Sequence, residues 1–345
     1  MATRATGVNP LHKPAVAVLG SGSWGTALAV HLGRTGHRTI LWGIETEELV
    51  AMTRDRVNAR YLPGVRLPDR VEIEHDFERA VAEADQLLLV VPSHAFREVL
   101  TRARPLLKPG QRVAWATKGF EIATGLLPHE VADQVLGREV PTAVLSGPTF
   151  AKEVGAGLPS AMTVASRDPA YAMELAAGIS GENFRAYASS DMVGVEVGGA
   201  VKNVLALGAG ASDGLGYGAN TRVALITRGL NEMVRLGLAL GAKAETFTGL
   251  AGLGDLVLTC TGDASRNRQV GLGLAQGRGL DAILASLGHV AEGVHAARAA
   301  RALARLHRIE MPITEAIARV LDEGLPVREA VEGLLKREPR QEHEG

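Results

Sequence analysis

The chain has 345 residues, 46% of them apolar, and a formal net charge of −1. That length exceeds the roughly 250–300 residues one core usually organises, so two domains are expected. Near-zero charge removes any general attraction to nucleic acid or anionic membrane, and the longest apolar run near the front, 87–91, falls far short of the ~20 residues a span needs.

The N-terminal end carries basic residues ahead of a five-residue apolar run, 15–19, and a glycine turn follows at once. This reads as a strand rather than a signal peptide, with 1–14 as a loose lead-in. Gly20-Ser21-Gly22-Ser23-Trp24-Gly25 then opens a helix over 26–34, and a second strand follows at 38–42. Strand, Gly-x-Gly-x-x-Gly, helix and strand in that order form the dinucleotide fingerprint. Gly20 permits the tight turn, Gly22 lets a pyrophosphate approach the backbone, and Gly25 lets helix and strand pack closely. Glu45 lies twenty residues past Gly25, where an acidic side chain often holds the ribose hydroxyls of NAD. It also begins a charged helix, so a capping role competes.

Further strands are expected at 85–91, 112–117, 142–145, 160–166 and 184–188, with a helix over 169–178. The loops at Pro92-Ser93-His94, Lys118-Gly119 and 146–153 leave the C-terminal strand ends, where open parallel sheets bind ligands. His94 has the chemistry of a general acid, although capping of the next helix fits it better. The fold class is therefore α/β: a Rossmann-like doubly wound domain over 15–193, followed by an all-α domain over 194–336 and a loose tail at 337–345.

Residues 194–220 pair helical spacing of Val195, Gly199, Lys202 and Ala206 with a high glycine content. Each interior glycine costs roughly 0.5–1 kcal/mol against alanine, which makes sense where a ligand or another backbone comes close. Lys202 and Asn203 can hydrogen-bond a polar substrate there; a packing helix whose lysine reaches solvent is the other reading. Of 37 basic residues seven are lysine. Arginine does not deprotonate, so proton transfer by a basic side chain falls to lysine, and Lys118, Lys152 and Lys202 lie in glycine-rich or Pro-Gly motifs. Beyond 191 only helices are expected. Val223, Ile226, Leu230, Met233 and Leu240 mark one core face, a turn at 252–255 follows, and Ser265-Arg266-Asn267 opens another helix. Three more helices are expected at 293–306, 314–322 and 327–336. Cys260, the single cysteine, excludes intrachain disulfides and points to a reducing, cytoplasmic setting. No zinc-type histidine spacing occurs, so no metal is expected.

GSGSWGTALA, WATKGFE, SGPTFAKEV, VGGAVKNVLALGAG, GLAGLGDLVLTC and SRNRQVG, in this order, resemble the motifs of the bacterial NAD(P)-dependent glycerol-3-phosphate dehydrogenases, from about residue 15 to 324. The resemblance implies hydride exchange between nicotinamide and sn-glycerol 3-phosphate or dihydroxyacetone phosphate, NAD or NADP as cofactor, a role in phospholipid backbone supply, and a homodimer. It implies cofactor contacts at Ser23, Trp24, Lys118, Ala151, Arg266, Val290 and Glu292. It implies substrate contacts at Lys118, Gly147, Thr149, Asp255, Ser265, Arg266 and Asn267, and Lys202 as proton acceptor. Asn203 or Asp255 would position Lys202, Thr259 would face the substrate, and Cys260 reads as a buried bystander. Ile44 departs from the family, many of whose members place Arg or His there; Ile44 and Glu45 together imply a preference for NADH. Two rivals stand beside this reading. One is a reductase of the same plan for a 3-hydroxy acid or ketopantoate-like substrate, which the phosphate-suited Ser265-Arg266-Asn267 disfavours. The other is a dinucleotide-binding redox sensor, which has no need of Lys202 in a cleft.

Overall fold

The computed structural model describes residues 13–287 and 291–338. The loose segments expected at 1–14 and 337–345 lie outside these residues apart from Lys13, Pro14, Arg337 and Glu338. Among the described residues one sheet joins β1 (Val16–Leu19), β2 (Thr39–Trp42), β3 (Val71–Glu74), β4 (Gln86–Leu89), β5 (Arg112–Trp115), β6 (Thr142–Ser146), β7 (Ser160–Ala165) and β8 (Phe184–Ser189). Their order is β3-β2-β1-β4-β5-β6-β7-β8, and all neighbours are parallel except β6 and β7. β3 is absent from the sequence reading because Val71-Glu72-Ile73-Glu74 shows no apolar run; it lies at the edge, paired only with β2. Helices α1 (Ser23–Arg34), α2 (Thr46–Asp55), α3 (Phe77–Glu83), α4 (Ser93–Ala103), α5 (Pro128–Leu136), α6 (Ala151–Ala156) and α7 (Pro169–Ile179) fill the connections.

Alternation along the strands explains why both faces are dry. Val16 and Val18 join a core with Leu28, Leu41 and Leu88, while Ala17 and Leu19 join Trp42, Phe96 and Trp115 on the other side. Leu19 lies in register with Trp42 and Leu89, and Leu89 with Trp115. The four strands therefore end in one row, and their following loops open onto one crevice.

Beyond β8 the described residues are organised by helices: α8 (Met192–Gly214), α9 (Ala219–Ala239), α10 (Ala244–Phe247), α11 (Asp255–Thr261), α12 (Arg266–Ala275), α13 (Leu280–Leu287), α14 (Glu292–His307), α15 (Pro312–Asp322) and α16 (Val327–Leu335). The expected face of α9 needs one correction. Val223 is exposed at its outer end, while Leu236, unread in the sequence, is buried with Ile226 and Met233.

α8 is the axle. Its 23 residues are long and apolar enough to cross a bilayer by composition alone, yet 94% of its most apolar window is buried inside the fold. Met192 and Val195 pack into the sheet core, and Val197 to Ala209 form the helical core. Glu196 locks the two together, accepting from Trp115 Nε1 at 3.0 Å, His129 N–H at 3.0 Å and His129 Nδ1 at 2.5 Å. Burial raises the Glu196 pKa and His129 opposes that rise.

The glycines of α8 face other backbones. A Cβ at Gly198 would collide with the Ala251 carbonyl, and one at Gly210 with the Arg268 carbonyl. Helix propensity favours Gly198→Ala by about 1 kcal/mol, but overpacking against fixed backbone costs about 1–3 kcal/mol. The clash should win, so urea unfolding of Gly198→Ala is expected to show a net loss of up to about 2 kcal/mol; a gain would mean that the contact between α8 and residue 251 yields easily.

Candidate active site

Three elements deliver charge to one buried point. β5 ends at Trp115 and the next loop places Lys118; α8 carries Lys202; a π-helical turn at Leu250–Gly254 runs into α11 and sets Asp255 as its first residue. Such π turns are concentrated at functional sites because they re-aim the residue that follows. Asp255 is 1% exposed and Lys202 6% exposed, which rules out the reading of Lys202 as a lysine reaching solvent.

The Asp255 carboxylate is shared. Lys202 Nζ donates to Oδ1, and Lys118 Nζ donates to Oδ2 at 2.6 Å and to the Gly147 carbonyl at 3.2 Å. Lys202 Nζ also donates to Thr259 Oγ1 at 3.0 Å, whose hydroxyl donates in turn to the Asp255 carbonyl at 2.6 Å. Burial lowers the Lys202 pKa to about 8; the Lys118 charge adds to that fall and Asp255 opposes it. For Asp255, burial pushes upward, but the two ammonium groups outweigh it and hold the carboxyl below its ordinary range. A neutral amine keeps two N–H bonds, and Asp255 and Thr259 take both. The lone pair is left for a third partner.

A polar chain continues sideways. Asn267 Nδ2 donates to Asn203 Oδ1 at 2.9 Å, and the Gly293 N–H donates to Asn267 Oδ1 at 2.9 Å. Asn203 and Asn267 thus clasp α8, α12 and α14, each Nδ2 giving one hydrogen bond to the protein. Ser265 caps α12, its Oγ accepting from the Arg268 N–H at 3.3 Å. Arg266 follows; its side chain is exposed by area, although its surroundings are close enough that desolvation lowers its pKa. It makes no side-chain hydrogen bond with the described residues. Thr149 Oγ1 donates to the Gly147 carbonyl at 3.1 Å, and Ala151 starts α6.

The glycine loop fits a dinucleotide. Gly20 has φ +124°, a conformation that L side chains rarely adopt, and a Cβ at Gly25 would strike the Gly20 carbonyl. Over Gly22 a Cβ would meet open space. Ser23 and Trp24 open α1, whose first N–H groups have no acceptor within the helix. Trp24 Nε1 and Ser146 Oγ are buried without a partner, two orphaned polar atoms on this side of the molecule. Asn58, absent from the sequence reading, braces the loop from beneath. Its Nδ2 donates to the Ser21 carbonyl and Thr26 Oγ1, both at 2.8 Å. A buried asparagine after an unremarkable Arg-Val gives no sequence signal.

Glu292 meets the opposite wall, accepting from Ser93 N–H at 3.0 Å and Ser93 Oγ at 2.6 Å. Glu45 accepts from Tyr61 OH at 2.6 Å and pairs with Arg60 at 3.3 Å. Val290 lies outside the described residues. His94 corrects an expectation: it is an exposed residue within the first turn of α4, whose first N–H is capped by Glu292. Lys152 is exposed and outside the cluster. Cys260 is fully buried, and burial pushes its thiol up to about 12.

Two family models match in tandem, NAD-dependent glycerol-3-phosphate dehydrogenase N-terminus over 15–172 and C-terminus over 191–332. A Pseudoalteromonas translucida protein named glycerol-3-phosphate dehydrogenase [NAD(P)+] is 52% identical over 95% of this chain and 98% of its own. An Edwardsiella ictaluri protein of the same name is 51% identical over 95% and 97%. The crystal structure of glycerol-3-phosphate dehydrogenase from Coxiella burnetii superposes with a TM-score of 0.91 at 46% identity, covering 94% of this chain and 99% of that one.

Asn58→Ala takes away the donor to the buried Thr26 hydroxyl oxygen and one of the two donors to the Ser21 carbonyl, which keeps the Thr26 hydroxyl at 3.1 Å. A stability loss of about 1–3 kcal/mol is expected in urea unfolding, with weaker NADH binding by fluorescence titration. Unchanged NADH affinity in a destabilised variant would show that the brace serves the fold and not the loop.

Proposed function

Because this chain belongs to the family of NAD-dependent glycerol-3-phosphate dehydrogenases, we propose that Lys202 is the group that exchanges the hydroxyl proton in its reaction. The enzyme interconverts sn-glycerol 3-phosphate and dihydroxyacetone phosphate with NAD or NADP. The observation that carries the role of Lys202 is its burial against an Asp255 carboxylate already shared with Lys118. A nicotinamide held beyond the glycine loop would supply the hydride acceptor for oxidation and the donor for reduction.

The work of the chain is proton placement. In the oxidation direction, neutral Lys202 accepts the hydroxyl proton through its lone pair, while Asp255 and Thr259 hold its two N–H bonds. In reduction the ammonium form gives that proton to the nascent alkoxide oxygen. Lys118 places a second cation on the other oxygen of Asp255, lowering the Lys202 pKa and favouring the base form. Arg266, Ser265 and the first N–H groups of α12 supply a charged fork and a helix N-terminus suited to the substrate phosphate, with Gly147 and Thr149 on the facing loop. Asn203 and Asn267 join three helices; the amide NH2 group of each gives one hydrogen bond to the protein, and its second N–H is left for the substrate. Ser23, Trp24, Ala151 and Glu292 complete the cofactor side, and the family resemblance adds Val290 to them.

The domain division at about residue 193, a homodimer, cytoplasmic residence and phospholipid backbone supply belong to the same reading. The single buried cysteine supports cytoplasmic residence, the two family models over 15–172 and 191–332 support the division, and the family resemblance supports the rest.

The test is loss of NADH absorbance with dihydroxyacetone phosphate. Lys202→Ala should lose about 10²–10⁴-fold in kcat while retaining NADH affinity. NADH oxidation by wild type that survives in Lys202→Ala would remove Lys202 from the chemistry. In the oxidation direction kcat/KM should rise with pH through about 8, where Lys202 loses its proton. Asp255 raises the pKa of Lys202, so Asp255→Asn should move that rise to lower pH along with its loss of rate. A shift to higher pH would contradict the assignment.

A further inference from the structure

The preference for NADH that Ile44 and Glu45 imply treats Glu45 as a free negative charge. The structure does not leave it free. Arg60 Nη1 lies 3.3 Å from Glu45 Oε1 and 3.4 Å from Glu48 Oε1, and its guanidinium stands 5.0 Å from the centre of the Tyr61 ring. Tyr61 OH donates to the same Glu45 oxygen at 2.6 Å.

This cluster is built onto the glycine loop. Gly43, at the end of β2, packs so closely on Ser21 that a Cβ there would strike Ser21 Oγ. Asn58 bonds the Ser21 carbonyl, and its Oδ1 accepts from the Tyr61 N–H at 3.0 Å. Arg60 therefore rides on a turn pinned at 58 and 61 to the loop that fits a dinucleotide phosphate and to the residue placed for its ribose. Ile44 is 80% exposed and brings no charge.

We propose that Arg60 admits a dinucleotide carrying a 2′-phosphate, and that Glu45 and Arg60 as a pair set the balance between NADH and NADPH. The inference rests on the dinucleotide reading of the glycine loop. A carboxylate near the adenine ribose suits its hydroxyls, and an arginine nearby accommodates the 2′-phosphate. Here both are present and joined. The contacts from Arg60 to Glu45 and Glu48 are long and half-exposed, with 51% of the Arg60 side chain accessible, so giving them up costs little. A guanidinium released from them presents a planar fork to a phosphate dianion. With the unphosphorylated cofactor the pair stays closed, and Tyr61 keeps the carboxylate in place.

The test is binary-complex affinity, by fluorescence titration of NADH and NADPH against wild type, Arg60→Ala, Arg60→Lys and Glu45→Gln. Arg60→Ala should weaken NADPH by about 10-fold or more and leave NADH within about threefold, while Arg60→Lys recovers part of the loss. Glu45→Gln should strengthen NADPH relative to NADH. The salt dependence of NADPH binding should flatten in Arg60→Ala. Equal effects on both cofactors, or none on NADPH, would overturn the proposal while leaving the dinucleotide site standing. Failure of folded wild type to bind NADH would overturn both.

Discussion

One carboxylate between two lysines governs this molecule. Burying a lone ammonium is expensive, and burying two within reach of each other is worse unless an anion lies between them. Asp255 is that anion, and it takes a bond from each lysine on a different oxygen. The cluster still carries one more positive charge than negative when both lysines are protonated. Its two routes to relief are release of a proton from Lys202 or arrival of an anionic substrate, and the proposed mechanism uses both.

The surrounding fold makes that arrangement possible. Lys202, the proposed base, is carried on a helix in the middle of the protein, and the residues around it approach very closely. Small side chains on α8 let the turn at Leu250–Gly254 and the start of α12 reach its backbone, so glycine there trades helix propensity for proximity. Glu196 fixes α8 to the sheet through Trp115 and His129. Trp115 ends the strand whose next loop carries Lys118, so the same helix and the same strand also set the spacing of the two lysines.

Much of this was legible from residues alone, and the illegible part has a common cause. The buried apolar strands with glycine turns announced the Rossmann-like sheet, because period and punctuation are local signals. Lysine scarcity narrowed the candidates for proton transfer to Lys118, Lys152 and Lys202, and the family resemblance chose Lys202 among them. β3 and α13 were silent: the first is a short strand half made of glutamates, the second a short apolar stretch of eight residues that follows a glycine-bearing turn. Partnerships across distance were silent as well. Nothing near Asn58 says that it braces a loop 37 residues earlier, and nothing near Glu45 says that Arg60 stands against it. The Ser265-Arg266-Asn267 triplet was legible as a group. Its division into a cap, an exposed arginine and an amide clasped to Asn203 belongs to the fold.

The most direct measurement is a carbon-13 NMR titration of the lysine Cε resonances in the full-length protein, assigned with Lys202→Arg. Only seven lysines contribute signals. If burial and Lys118 outweigh Asp255, one resonance, absent from the variant, titrates near pH 8. A Lys202 resonance that titrates near the ordinary value of 10.5 would contradict the account, because a lysine so firmly protonated could not take the hydroxyl proton at neutral pH.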